Sequence, residues 1–179
     1  MRTMFIASGL MIALAVSACS TAPKSTEGKA ELRSKAETAL SKAQSDDPSL
    51  TSTVQSATAY AVFPSVGKGG AGVGGAYGKG VLYEHGVVTG YCDMTQATVG
   101  AQLGGQKYTE IVCFNTPEAL ARFKSGTFAF DAQATAVAVK SGAGSNAKYS
   151  NGVAVFTSNE AGLMGEAAVG GQKFDYQAN

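Results

Sequence analysis

The sequence predicts an α+β domain in which short helices pack on a curved, mainly antiparallel β-sheet that could curl towards a barrel. Three observations predict it. Helical periodicity with recognisable caps occupies the N-terminal part of the chain and one later segment. From Tyr60 onward, runs rich in Val, Ile, Tyr and Phe alternate with turn residues. Eight glycines are crowded into positions 67–80, "GKGGAGVGGAYGKG".

The first helix is expected at about 27–44, with Leu32, Ala36, Ala39, Leu40 and Ala43 on one stripe and Glu31 four residues before Lys35. Only two of those stripe residues are large, so the helix is too weakly apolar to enter lipid alone and should pack on the domain. A second helix should begin near "DDPSLTSTVQSA", with Asp47 as cap and Pro48 in its first turn. A third has Thr116 as cap, Pro117 at its first position and Gly126 as terminator. Between them "AYAVF", "GVLYEHGVVTGYCDM", "ATVGAQLG" and "KYTEIVCF" read as strands, joined by turns at His85–Gly86 and at 104–106. "FAFDAQATAVAV", "GVAVFTS" and "GLMGEAAVGGQKF" read mainly as further strands.

The glycine run admits a nucleotide-loop reading and a structural one. "GAGVGG" at 70–75 formally matches the dinucleotide fingerprint, but that motif must open a helix, and "AYGKGVLYEHG" follows instead. Neither Lys68 nor Lys79 has the hydroxyl neighbour of a P-loop lysine. The run therefore reads as a strand that bends sharply or lets another backbone approach, with Ala71, Val73 and Tyr77 supplying side chains.

The N-terminus speaks to location. Arg2 precedes an apolar run that is too short for a span of about 20 residues and ends in "VSAC". Small residues before a cysteine form the pattern of a bacterial lipobox, in which Cys19 is acylated and residues 1–18 are removed. Residues 19–28 would be the acylated cysteine and a tether, and 29–179 a single domain. Ser20 stands where an inner-membrane retention signal would have Asp, which points to the outer membrane, facing the periplasm.

Arg2 is the one charge in residues 1–18, so from 14 basic and 13 acidic side chains the processed chain keeps thirteen of each. That balance gives no support to nucleic-acid binding. Cys92 and Cys113 are either a disulfide, in an oxidising compartment, or two buried thiols. His85 is the single histidine and sits in a turn, which argues against a metal site and against nucleophilic catalysis. Asp93, Glu110 and Asp131 would need to converge in space to act as acid and base. The chain reads as no enzyme, with no cofactor.

The blocks "VFPSVGKGGAGVGGAYGKGVLYEHG", "QATVGAQLGGQKYTEIVCFNTPEALARF", "FDAQATAVAV" and "GLMGEAAVGG" resemble the SYLF domain family in its bacterial lipoprotein form, over about residues 30–176. The resemblance implies lipid binding, to phosphoinositides in eukaryotic relatives, through a basic surface and an N-terminal amphipathic segment. In some fungal members it implies actin binding. It implies no catalysis. Headgroup specificity does not carry over to a periplasmic chain. The expected anionic-headgroup contacts are Lys68 and Lys79 in the glycine block and Lys29, Arg33, Lys35 and Lys42 in the first helix. The competing expectation is a structural or protein-interaction module of the envelope, whose lipid serves only as anchor.

Overall fold

The structure, a computed structural model, describes residues 23–126, 129–130 and 136–179. Cys19, the leader expected before it and Asp131 lie outside the described residues. The elements run α1 (Thr26–Asp46), α2 (Ser49–Ser56), β1 (Ala59–Glu84), β2 (Val87–Phe114), α3 (Pro117–Lys124), β3 (Ala129–Phe130), β4 (Ala136–Ala138) and β5 (Val153–Ala178). The sheet order is β1-β2-β5-β3, with β4 pairing β5 in parallel and every other pair antiparallel. The fold is thus α+β, and among the described residues the sheet curls without closing.

Each helix starts where side-chain chemistry satisfies free backbone donors. Ser25 Oγ accepts from Gly28 N ahead of α1, and Thr116 Oγ1 accepts from Ala119 N at α3. Gly126, with φ +67°, closes α3 in a conformation that suits glycine. At α2 the buried Asp47 carboxylate accepts from Ser49 N and Oγ, and also from Gly142 N and Gly144 N. One side chain therefore starts a helix and secures a loop nearly a hundred residues away.

The strands are far longer than the sequence suggested. His85 (φ 50°) and Gly86 (φ 80°) form the tight two-residue turn between β1 and β2. The turn expected at 104–106 does not form: β2 runs through Gly104 and Gly105 with unbroken pairing to β5 at Met164 and Leu163. "GVAVFTS" and "GLMGEAAVGGQKF" likewise belong to one strand, β5. Glycine marks bends as well as turns, and here it marks bends.

Curling folds β1 onto itself. A β-carbon at Gly80 would stand 2.7 Å from the Phe63 ring, and one at Gly78 would stand 2.8 Å from Val66 Cγ2. Only glycine lets the two limbs of one strand approach so closely. The turning point is Gly72 (φ +73°), at a register shift between Ala71 and Val73. Gln102 holds the bend by donating from Nε2 to Gly72 O and Thr98 O, while its Oε1 accepts from Thr98 Oγ1.

Each face of the curled sheet buries its own core. On one, Phe63, Leu82, Met94, Phe114 and Phe174 pack with Phe123 of α3, whose ring lies 4.9 Å from Phe114 and 5.2 Å from Phe174. On the other, Val62, Val81, Tyr91, Ile111 and Phe156 pack under Leu32, Ala36 and Ala43 of α1 and Leu50 and Val54 of α2. Tyr60 and Tyr83 stack there with centroids 5.0 Å apart, joining the limbs of β1.

This arrangement decides the cysteine question. Cys92 and Cys113 both lie in β2, an odd number of residues apart, so they face opposite sides of the sheet. Cys92 belongs to the core under α3 and Cys113 to the core under α1, and both are free and buried. Of the two readings the sequence left open, the geometry fits two separated, buried thiols. Burial pushes the Cys113 thiol up to about 12 and raises Cys92 as well, so both stay protonated and unreactive.

Candidate functional site

A groove of about 470 Å³ lies between α1 and the sheet. Its helix wall is Ser34, Lys35, Thr38, Ala39, Lys42 and Ala43; its sheet wall is Pro64, Ser65, Thr109 and Ser158. The sequence explains the gap: Ala39 and Ala43 face the sheet where larger residues would have filled the space. Across from them β1 breaks register between Phe63 and Val66, and Thr109 Oγ1 donates to the Pro64 carbonyl that the irregularity exposes. The lining is mostly apolar, with two ammonium groups at the rim.

Of the six expected headgroup residues, the groove brings together two. Lys35 pairs with Glu31 at 2.6 Å and Lys42 with Asp46 at 2.5 Å, both as exposed i,i+4 pairs that hold the rim lysines on the helix surface. Arg33 is exposed on the same helix outside the groove. Lys29 lies over the Tyr91 ring at 5.0 Å and reaches Asn179 Oδ1 at 3.4 Å, which ties α1 to the end of β5. Lys79 is half-buried and pairs across the ladder with Asp93.

Lys68 is corrected outright. It is 6% exposed and faces the interior near Glu110 instead of a headgroup. The register shift after Phe63 turns Lys68 to the same face as Val66, which the sequence alone could not reveal.

Glu110 is the residue that sequence reasoning undervalued. It is fully buried, and desolvation raises its carboxyl to about 7, against the opposing pull of a hydrogen bond from Gln172 and the charge of Lys68. Gln172 Nε2 donates to Glu110 Oε2 at 2.9 Å, while Glu110 Oε1 and Gln172 Oε1 are buried acceptors without a donor. A proton on Glu110 would supply that donor. Asp93 does not join it: Asp93 shares the parity of Tyr91, on the opposite face of β2, where Tyr77 Oη donates to it at 3.2 Å. Glu110 and Asp93 are therefore not an acid–base pair. Among the described residues no three His, Cys, Asp or Glu side chains are grouped to hold a metal, and His85 is exposed in its turn.

A family model described as Ysc84, Las17-binding protein actin regulator, matches residues 95–179. Over those residues the chain is similar to the SYLF domain family. No curated protein matches the chain. The SYLF match begins inside β2 and takes in α3 and all of β5, so the glycine run of β1 and the groove wall on α1 precede it. They are nonetheless part of one hydrogen-bonded sheet and its helical cover. SYLF domains are binding modules for lipid or actin.

Proposed function

We propose that this chain is an outer-membrane lipoprotein, held by acylated Cys19, whose SYLF domain binds anionic phospholipid on the periplasmic side and catalyses no reaction. The observation that carries the reading is the groove between α1 and the sheet. Its volume suits a small ligand or one end of a larger one. Its apolar floor would take part of an acyl chain, and Lys35 and Lys42 would take the phosphate. No described helix is long and apolar enough to cross a membrane.

Vesicle flotation tests it. The chain from Ser20, which keeps every described residue, should float with vesicles containing phosphatidylglycerol and sediment with neutral ones. Each exposed lysine near an anionic surface contributes about 1 kcal/mol, and pairing with Glu31 and Asp46 discounts it. Lys35→Gln with Lys42→Gln should therefore weaken binding by roughly five- to tenfold. No flotation at any anionic content would remove intrinsic lipid binding and leave the second reading, a protein-interaction module. The family's description favours that second reading, since it names a protein ligand.

Anchoring is a separate expectation. Radiolabelled palmitate should enter the wild-type chain and be absent from Cys19→Ala; equal labelling of the two would remove the lipoprotein assignment.

A further inference from the structure

The bend of the sheet exposes aliphatic side chains that the groove does not use. Val73 is 69%, Val99 63% and Leu103 73% exposed. The ladder sets Val73 opposite Val99 and Ala71 opposite Leu103, so these residues form one contiguous patch. Monomeric proteins seldom leave neighbouring aliphatic residues this exposed without a use.

The surroundings of the patch identify its occupant. No charged residue occurs from Gly69 to Gly78 of β1 or from Met94 to Gln106 of β2. In β5 the single charge between Ala161 and Gln172 is Glu166, which pairs with Gln102 and not with Val99 or Leu103. Strand alternation puts Val73, Tyr77 and Lys79 on one face of β1, and Val99, Leu103 and Lys107 on the same face of β2. Lys173, opposite Thr95, joins that face from β5.

Charge therefore begins only behind the patch, and what is exposed there is mainly cationic. Lys107 is exposed, Lys173 is 51% exposed and 3.5 Å from Asp175, and Lys79 is half-buried. The acidic residues of that face are less accessible: Asp175 is 29% exposed and Asp93 is buried. Tyr77, 41% exposed, stands between the aliphatic and the cationic zones.

We infer that the bend is an insertion tip, with Val73, Val99 and Leu103 entering the hydrocarbon edge of an anionic bilayer while Tyr77 lies at the interface and Lys79, Lys107 and Lys173 meet the headgroups. The order aliphatic, aromatic, basic along one face is the order of environments met on entering such a bilayer. α1 lies on the same face of the sheet nearer its open end, so the groove and the tip address one surface. This inference rests on the lipid-binding reading and adds a second contact to it.

The chain has no tryptophan, which permits a clean test. Leu103→Trp at the tip and His85→Trp at the β1–β2 turn, each in the chain from Ser20, are mixed with phosphatidylglycerol vesicles whose acyl chains carry bromine. The expected result is a blue shift and at least twofold quenching at position 103, with neither at 85. Val73→Asp and Val99→Asp should reduce flotation at least tenfold while leaving the circular dichroism and the melting temperature near wild type.

Flotation without quenching at 103 would overturn the tip and spare the groove. Equal quenching at both positions would overturn it too, because the whole surface would then be immersed. A concentration-dependent blue shift at 103 without vesicles would assign the patch to a second copy of the chain. Loss of flotation by every form would instead remove the lipid-binding reading itself.

Discussion

Alanine in place of Gly70 is expected to lower the unfolding free energy by about 3 kcal/mol, the upper part of the usual range for overpacking. The added methyl would meet Gly74 Cα at 2.5 Å and Val73 O at 2.7 Å. Both obstacles are backbone, so no side chain can rotate away, and relief requires opening the bend itself. Gly67→Ala is the matched control. Three residues earlier in the same strand, its methyl would meet nothing within 4 Å, and Gly67 is not among the glycines with positive φ. It should stay within about 0.5 kcal/mol of wild type. Urea unfolding of the two variants settles the matter, and equal midpoints would mean that the curl of β1 does not depend on glycine contact.

Glu110→Gln should abolish most of the pH dependence of stability between about pH 5 and 7. In the unfolded chain the carboxyl ionises near 4.5, whereas burial in the fold holds it protonated up to about 7. Below 4.5 both states carry the proton and the stabilisation is fully present. As pH rises, the unfolded state releases its proton first, and stability falls until the folded state also ionises near 7. The loss is about 3 kcal/mol, because each tenfold difference in proton affinity between the two states corresponds to about 1.4 kcal/mol. Glutamine keeps an acceptor for Gln172 Nε2 and brings a permanent donor for the lone Gln172 Oε1. The variant should therefore match wild type near pH 5 and exceed it at pH 8. Parallel stability curves for the two proteins across that range would show that Glu110 is ionised in the fold.

Local chemistry made part of this fold legible. Thr116, Pro117 and Gly126 delimit α3 because capping involves neighbours in the chain, and His85–Gly86 makes its turn for the same reason. Asp47 was legible as a cap, but its bonds to Gly142 and Gly144 were not, since nothing near Asp47 announces a loop so far along the chain. The strands were misjudged in length because glycine signals a turn and a bend alike. Gly104 and Gly105 read as a hairpin, and only pairing with Leu163 and Met164 shows β2 running straight through them.

The candidate site divides in the same way. Lys35 and Lys42 could be placed on one helix by spacing, and they do border the groove. Lys68 could not be placed, since a register shift in β1 reverses the face on which it lies. Glu110 meets Gln172 from a strand 62 residues away, a proximity that no local pattern encodes. The tip was visible in part: the charge-free runs around Val73 and Val99 can be read in the sequence, but their coincidence on one exposed face requires the ladder.

The curl of β1 also bears on how the protein avoids its own kind. β1 is the outer member of the sheet order and 26 residues long. A straight edge of that length would offer a long row of unpaired amides and carbonyls to any passing strand. The bend at Gly72 folds that edge back on itself and brings Gly78 against Val66, so a newcomer finds no straight, extended template to copy. The glycines that bring the limbs together thus also guard against fibre-like stacking.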